Sequence, residues 1–412
     1  MVHSRHAVPF VFVTVLIDMI GFGIVLPVLP GLIMEITGES LAQAAAYSGF
    51  LLTAYALLQF FFAPVLGSLS DRFGRRPVLL CSLFMYAVNY CLAGLAGSLL
   101  WLFAGRIMTG IAGATHATAN ALVADITPPE QRAQSFGLLG MAIGLGFIFG
   151  PALGGLLGEL GPRAPFYAAA ALALLNCIYG FFMLPETLPP EQRRAFDWRR
   201  ANPFGALSRI AEFPGLMGLA IVMLFYNLGH HVYPSVWAYF GLERFGWGSS
   251  EVGLSLTAVG VMMAISQGGL IRVVVPRIGP ARTALLAFFA AFAAYLGFAF
   301  VQTIPALAML IMLSAIGNLL GPSVQSIMSN QVPQNEQGEL QGVLASLSSV
   351  GAIIGPLLMT QLFARYSDTE GLYLPGAPFL AAACLTLGAL LLFAYNCRTE
   401  IRTGVTAKPT AG

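Results

Sequence analysis

The sequence predicts an all-α membrane protein with twelve transmembrane helices in two pseudo-symmetric bundles of six. Three observations carry this reading. Of the 412 residues, 57% are hydrophobic and only 9% are charged, with a mean hydropathy of +0.79; a soluble domain carries about 25% charged residues. Apolar windows recur at the roughly 20-residue length needed to cross about 30 Å of hydrocarbon as a helix. The second half repeats landmarks of the first at a nearly constant offset. Membrane β-barrels are excluded, because their strands alternate apolar and polar over about ten residues.

From the N-terminus, the predicted spans cover 8–34, 46–69, 78–97, 99–124, 135–158, 164–184, 215–241, 250–275, 283–302, 304–330, 339–364 and 376–397. The first window is too long for a signal-peptide core, and no small-residue cleavage site follows it. The long polar break, "PETLPPEQRRAFDWRRANPFGALSRIAEFP" at 185–214, carries five arginines. Its second part adds Phe204, Leu207, Ile210 and Phe213, a composition suited to a short helix lying on the membrane surface. The expected organisation is an N-terminal six-helix bundle (1–184), a cytoplasmic linker with an amphipathic helix (185–214), a C-terminal bundle (215–397) and a cytoplasmic tail (398–412).

Orientation follows from the basic residues. With the N-terminus inside, sixteen of the 20 Lys and Arg residues fall on the cytoplasmic side. Arg163, Arg244 and Arg365 fall on the other, and Arg106 lies within a span. Both termini are therefore expected in the cytoplasm of a multi-pass protein of the cell's inner membrane. The net charge of +2 points to no nucleic acid. Cys81, Cys91, Cys177, Cys384 and Cys397 sit in or beside apolar runs without a CxxC pair, as packing residues do. No metal cluster, phosphate loop or nucleophile constellation is present in the sequence, so neither an enzyme nor a bound cofactor is expected.

The repeat is specific. "RFGRR" at 72–76 returns as "RIGPAR" at 277–282, and Gly150-Pro151 returns as Gly355-Pro356. Gly137 returns as Gly342, and Glu130-Gln131 as Glu336-Gln337. Duplicated six-helix halves with a site near the midplane are the organisation of secondary transporters.

The charge of this chain is concentrated in "GSLSDRFGRRPVLL" at 67–80, between spans two and three. A positive-inside anchor accounts for the arginines, but not for Gly67, Gly74 or Asp71. The pattern resembles the loop signature of the major facilitator superfamily. The resemblance implies a gating latch of Gly67, Asp71, Arg72, Gly74, Arg75 and Arg76, in which Asp71 faces a helix N-terminus of the other half and Arg72 pairs with Asp125 of "VADITPPEQR". "LFAGRIMTGIAGA" at 102–114 resembles the span-four pattern around a buried arginine, Arg106. "GFIFGPALGG" at 146–155, with Gly146, Gly150, Pro151, Gly154 and Gly155, matches a span-five motif associated with antiporters. Close helix packing through small residues is its alternative explanation.

Within that superfamily the chain resembles, along its whole length, the twelve-span tetracycline efflux pumps of the drug–proton antiporter branch. Asp18, Gln59 and Gln267 stand at family positions. Asn89 and Ala291 stand where the pumps have acids, and Met263 where they have a histidine. The resemblance implies proton-coupled export of small amphipathic compounds, with tetracycline or another drug as the first substrate to test and a substrate-borne divalent cation as the one metal involved. Uptake of a metabolite by symport or facilitation is the alternative, and a non-transporting receptor on the same fold a remote one. A protein working as a monomer among lipids is expected.

Asp18 is the one carboxylate deep in a predicted span, and an acid at the bilayer centre costs about 2.5–3.5 kcal/mol on insertion scales. It is the expected proton site, with a helix-packing hydrogen bond as the alternative. At about 1.5 Å per residue, Asp18 and Arg106 reach nearly the same height from opposite ends of their helices. His116, His230 and His231 also titrate near neutral pH in the unperturbed state. The adjacent pair His230-His231 cannot face one way on a helix. Gln59, Asn89, Gln267, His231 and Trp237 complete the expected substrate cavity.

Overall fold

The computed structural model describes residues 7–113, 115–127, 132–189, 191, 193–194, 216–333, 336–368, 371–398 and 401. Helices occupy each of the twelve predicted windows, and no strand occurs among the described residues. Among the described residues, nine helical segments are long and apolar enough to cross a membrane. They include Leu41–Phe73 (span two), Arg75–Leu95 (span three) and, within Arg132–Gly158 (span five), Gln134–Gly158. A tenth forms from Pro9–Val25 and Leu29–Thr37, bent by 49° (span one). The remaining two windows hold broken helices. Leu99–Ala112 and Thr115–Ile126 (span four) meet around Gly113, and Met217–His230 and Val232–Phe245 (span seven) meet at His231. The tenth window, Ile304–Gly317 and Leu320–Asn330, is interrupted at Asn318-Leu319. The first and fourth segments of each half are interrupted, and span eight carries a π-helical turn at Ser266–Leu270. The amphipathic helix expected within 185–214 falls mostly outside the described residues, as does most of the tail.

The sequence repeat has a backbone counterpart. Gly74 (φ +108°, ψ 157°) ends span two and starts span three; Gly279 (φ +80°, ψ 160°) separates Ile271–Ile278 from Pro280–Phe300. Both donate their N–H four residues back, to Ser70 at 3.1 Å and Val275 at 2.9 Å. A positive φ strains any side chain with a Cβ, so each turn calls for glycine.

The chain divides into two compact units, Met1–Asn202 with Trp247–Gly260, and Pro203–Gly246 with Val261–Gly412. The core of the first is built by Val11, Val15 and Met19 of span one, Leu79 and Leu83 of span three, Leu122 and Val123 of span four, and Leu139 and Ala142 of span five. The first three recur every four residues, so one stripe of span one faces this core. In the second unit Trp237 meets Phe298 and Phe379 edge to face, with ring centroids 5.3 and 6.1 Å away, Phe298 and Phe379 are tilted against each other at 5.5 Å, and Phe288 packs on Phe393.

The glycines of span five are where the first unit closes most tightly. Gly146 abuts Met19, Gly150 lies against Gly23 and the Ile20 carbonyl, and Gly154 lies against the backbone of Ile24. On another face, Gly155 and the Pro151 carbonyl meet Gly253 of Ser249–Ile265, and Thr257 donates to the Ile148 carbonyl at 3.1 Å. Helices approach this closely in a membrane only where small residues let backbones touch.

A methyl group at Gly154 meets main chain, which cannot rotate aside; one at Gly67 meets nothing within 4 Å. Overpacking of this kind costs about 1–3 kcal/mol. In detergent-purified protein, Gly154→Val is expected to lower the melting temperature by roughly 2–10 °C, and Gly67→Ala to change it by under about 2 °C.

Candidate functional site

Inside the first unit lies a cavity of about 230 Å³. Span one supplies Asp18, Met19 and Phe22; span two, Tyr55 and Gln59; span three, Tyr86, Asn89 and Tyr90. Arg106 of span four and Phe147 of span five complete it. Helix periodicity aims these groups together: Tyr55 and Gln59 are four apart, and Tyr86, Asn89 and Tyr90 stand at i, i+3 and i+4 of one face. Asp18 is 8% exposed. It and Arg106 share the cavity, yet no ion pair joins them.

The polar groups are linked in a row. Gln59 Nε2 donates to Tyr55 Oη at 2.9 Å and to the Gly113 carbonyl at 3.4 Å, and the Tyr55 and Tyr86 hydroxyls are 3.0 Å apart. Buried Asn89 sets its amide oxygen against Gly105, in the space a Cβ there would fill. On the apolar side Phe22 and Phe147 meet edge to face at 5.9 Å.

Three further residues expected at the substrate cavity belong to the second unit. Trp237 is 1% exposed and sits in its aromatic core, because Val232–Phe245 turns the tryptophan inward among Tyr233, Phe298 and Phe379. His231, at the break in span seven, packs its Cβ and ring against Gly355, the repeat counterpart of Gly150. Gln267 is exposed on the π-helical turn Ser266–Leu270. His230 lies between the rings of Tyr226 and Tyr233, each 5.5 Å away, and bonds to the Asn318 side chain. Ala291 is packed against Gly317. The side chain of His116 lies outside the described residues.

The charged loop differs from expectation in one pairing. Arg75, not Arg72, meets Asp125, with Nε 3.1 Å from Oδ2. Arg75 also pairs with Asp71 at 2.6 Å and donates to Ser70 Oγ at 2.6 Å. The sharp turn at Gly74 makes Arg75 the first residue of span three and folds it back over the end of span two. Arg72, still on span two, is exposed, with its guanidinium 5.1 Å from the Phe73 ring. Arg76 donates to the Phe181 carbonyl at 2.6 Å. Gly67, expected at a tight approach, has open space where a Cβ would stand, with nothing within 4 Å of it.

Two sets of residues escaped the sequence reading. Glu186 accepts the backbone N–H groups of Arg75 at 2.9 Å and Arg76 at 3.3 Å, and those of Thr187 and Leu188. It satisfies the orphan donors at the start of span three, where the helix dipole favours a carboxylate. Its signal was an acid directly after span six, opposite a helix starting with two arginines. The cavity tyrosines were signalled by their spacing from Gln59 and Asn89.

The family description "Major Facilitator Superfamily" matches residues 11–356 and 277–410. The class C tetracycline resistance protein of Escherichia coli is 39% identical over 387 residues, which cover 94% of this chain and 96% of that protein. The class G protein of Vibrio anguillarum is 40% identical over 359 residues, 86% and 89% of the two lengths. The crystal structure of the nucleoside transporter NupG is similar at a TM-score of 0.75 and 14% identity, covering 95% of this chain and 98% of that one, a likeness of fold. With paired units of interrupted helices and a family match along almost the whole sequence, the chain belongs to the Major Facilitator Superfamily and is a membrane transporter, not an enzyme.

Proposed function

We propose that the chain exports small amphipathic compounds, tetracycline or other drugs among them, in exchange for protons. One observation carries the reading: a buried carboxylate, Asp18, faces a cavity beside an arginine with which it forms no ion pair. An ionised carboxylate in such a place is costly unless covered by a proton or a cationic group. Asp18 therefore alternates between the two, and Arg106 tunes the exchange. The relatives named as tetracycline resistance proteins support export as the direction.

In this reading residues 1–184 and 215–397 are the two bundles, 185–214 the linker and 398–412 a tail, with both termini in the cytoplasm and the inner membrane around a working monomer. Asp71, Arg75, Asp125 and Glu186 set the loop that governs opening to the cytoplasm. The glycines of 146–155 hold span one, and with it Asp18, at fixed depth. No cofactor takes part; a divalent cation enters only with a substrate.

The primary test is drug susceptibility of an efflux-deficient host, followed by uptake into everted vesicles under a pH gradient. Asp18→Asn is expected to abolish gradient-driven uptake while substrate still binds and exchanges downhill. Arg106→Lys, which keeps the charge without the planar fork, is expected to lose at least about tenfold in rate. Uphill transport at a normal rate by Asp18→Asn refutes the assignment.

The loop yields its own comparison. Arg75→Gln releases both Asp71 and Asp125, so cysteines placed in the cavity are expected to label faster from the cytoplasmic side, with unchanged expression. Arg72→Gln is expected to label as the parent does. Equal rates in all three reduce the loop to an anchor.

Because Asn89 and Ala291 remove two negative charges, export is expected to depend less on magnesium than that of the tetracycline pumps. Uptake in everted vesicles with and without EDTA measures this; strict magnesium dependence contradicts it.

A further inference from the structure

Two helix interruptions of the second unit lie side by side. Span seven breaks at His231, between Met217–His230 and Val232–Phe245, and span ten at Asn318-Leu319, between Ile304–Gly317 and Leu320–Asn330. The backbone stays paired at both places. The His231 N–H goes to the Asn227 carbonyl at 3.2 Å, and that of Leu319 reaches only three residues back, to Ile316 at 3.1 Å. A three-residue hydrogen bond inside a longer helix often marks a hinge, where a few dihedrals absorb a bend.

Three contacts join the two spans, one of them at the breaks themselves. The Tyr226 ring lies against Gly321, 3.1 Å from where a Cβ would stand. The His230 side chain bonds to that of Asn318, and the Tyr233 hydroxyl to that of Ser314. Positions 226, 230 and 233 share one face of span seven, and 321, 318 and 314 one face of span ten, each set spaced by three and four. One set rises along the chain as the other falls, so the contacts form a ladder between antiparallel helices. The ladder holds whichever partner donates, because imidazole, amide and hydroxyl each carry a donor and an acceptor.

Its surroundings are rigid. His230 is held between Tyr226 and Tyr233, 5.5 Å from each ring. Tyr233 also bonds to Tyr295 of span nine and packs on Trp237 at 5.7 Å, at the edge of the aromatic core. The first unit supports its broken span four in another way. Ser82 of span three donates to the Ala112 carbonyl at 2.6 Å, and Gln59 of span two to that of Gly113 at 3.4 Å, so two unbroken neighbours brace that break.

We infer that the second unit contains a coupled hinge: the ladder of Tyr226–Gly321, His230–Asn318 and Tyr233–Ser314 makes the breaks of spans seven and ten open and close together. His230 and Asn318 are its positioning residues. A bend at one break displaces the rungs beyond it, and hydrogen bonds tolerate little displacement. Either the rungs rupture or the other break follows. The inference is independent of what the protein carries and in which direction.

Hydrogen–deuterium exchange of the full-length, detergent-solubilised protein, read by mass spectrometry, tests this without substrate. The amides to follow are His231 and Ser235 at one break and Asn318, Leu319 and Ser323 at the other. Their exchange reports how often each break opens. Asn318→Leu, on span ten, is expected to speed His231 and Ser235 of span seven about tenfold, the worth of one hydrogen bond. His230→Leu, on span seven, is expected to speed Asn318, Leu319 and Ser323 by a similar factor, because coupling between two sites is reciprocal. His230→Gln keeps a side chain that can bond to Asn318 and is expected to exchange as the parent does. Tyr233→Phe keeps the ring and loses only a hydroxyl; it serves if the leucine variants do not fold, with an expected rise of about threefold at both breaks. Leu26 and Val28, at the bend of span one, are expected to stay unchanged in every variant.

Faster exchange confined to the substituted span overturns the inference, as does no change at either break. An equal rise at Leu26 and Val28 marks general loosening and overturns it too. So does a His230→Gln variant that exchanges like His230→Leu.

Discussion

Backbone contact between spans one and five is the constraint on which the first unit depends. Lipid is as apolar as leucine, so burial alone does not tell a membrane helix where to sit; contact at van der Waals distance does. Gly146, Gly150 and Gly154 meet Met19, Gly23 and Ile24, a register running along span one from just beyond Asp18 to the bend after Val25. A helix held by its main chain cannot slide, so the carboxylate at position 18 stays at a defined depth. The motif that looked like either an antiporter signature or a packing surface is a packing surface in its contacts. Its consequence for function is the placement it enforces.

Charge is treated in two opposite ways in this molecule. Around Gly74 most strong donors are met: Arg75 by Asp71, Asp125 and Ser70, the end of the Arg76 guanidinium by the Phe181 carbonyl, and the start of span three by Glu186, while Arg76 Nε is buried without a partner among the described residues. Partly exposed pairs of this kind add little stability, but they hold a tight turn in one geometry. In the cavity, Asp18 and Arg106 are left without that relief. A protein that keeps 9% charge overall and leaves two opposite charges unpaired within its membrane helices retains them at a free-energy cost. Transport chemistry uses that cost, since a group already neutralised by its neighbour has little reason to take up a proton or a ligand.

The architecture was legible because it rests on length, hydropathy and repetition. Every predicted window holds a helix, and Gly74 and Gly279, paired by a repeat in the letters, adopt the same unusual backbone. Asp18, Arg106, Gln59 and Asn89 could be singled out because a polar group in an apolar run needs a reason. The tyrosines beside them were passed over because Tyr is as much at home in lipid and core as in a site. Trp237 was assigned to a cavity for the converse reason: an aromatic-rich stretch looks the same whether it lines a space or fills one.

The sequence by itself determined the class of molecule, the windows in which its helices lie and the residues that cannot be idle in a membrane. These follow from one-dimensional quantities, the apolar run length and the penalty on buried charge. Only the tertiary structure decided which arginine meets Asp125, that Glu186 completes the loop, that Trp237 is core and that Asp18 and Arg106 share a cavity without pairing. The physical reason is that hydrogen bonds and ion pairs act over about 3 Å, so a single turn of backbone, as at Gly74, exchanges one partner for another while leaving the sequence pattern unchanged.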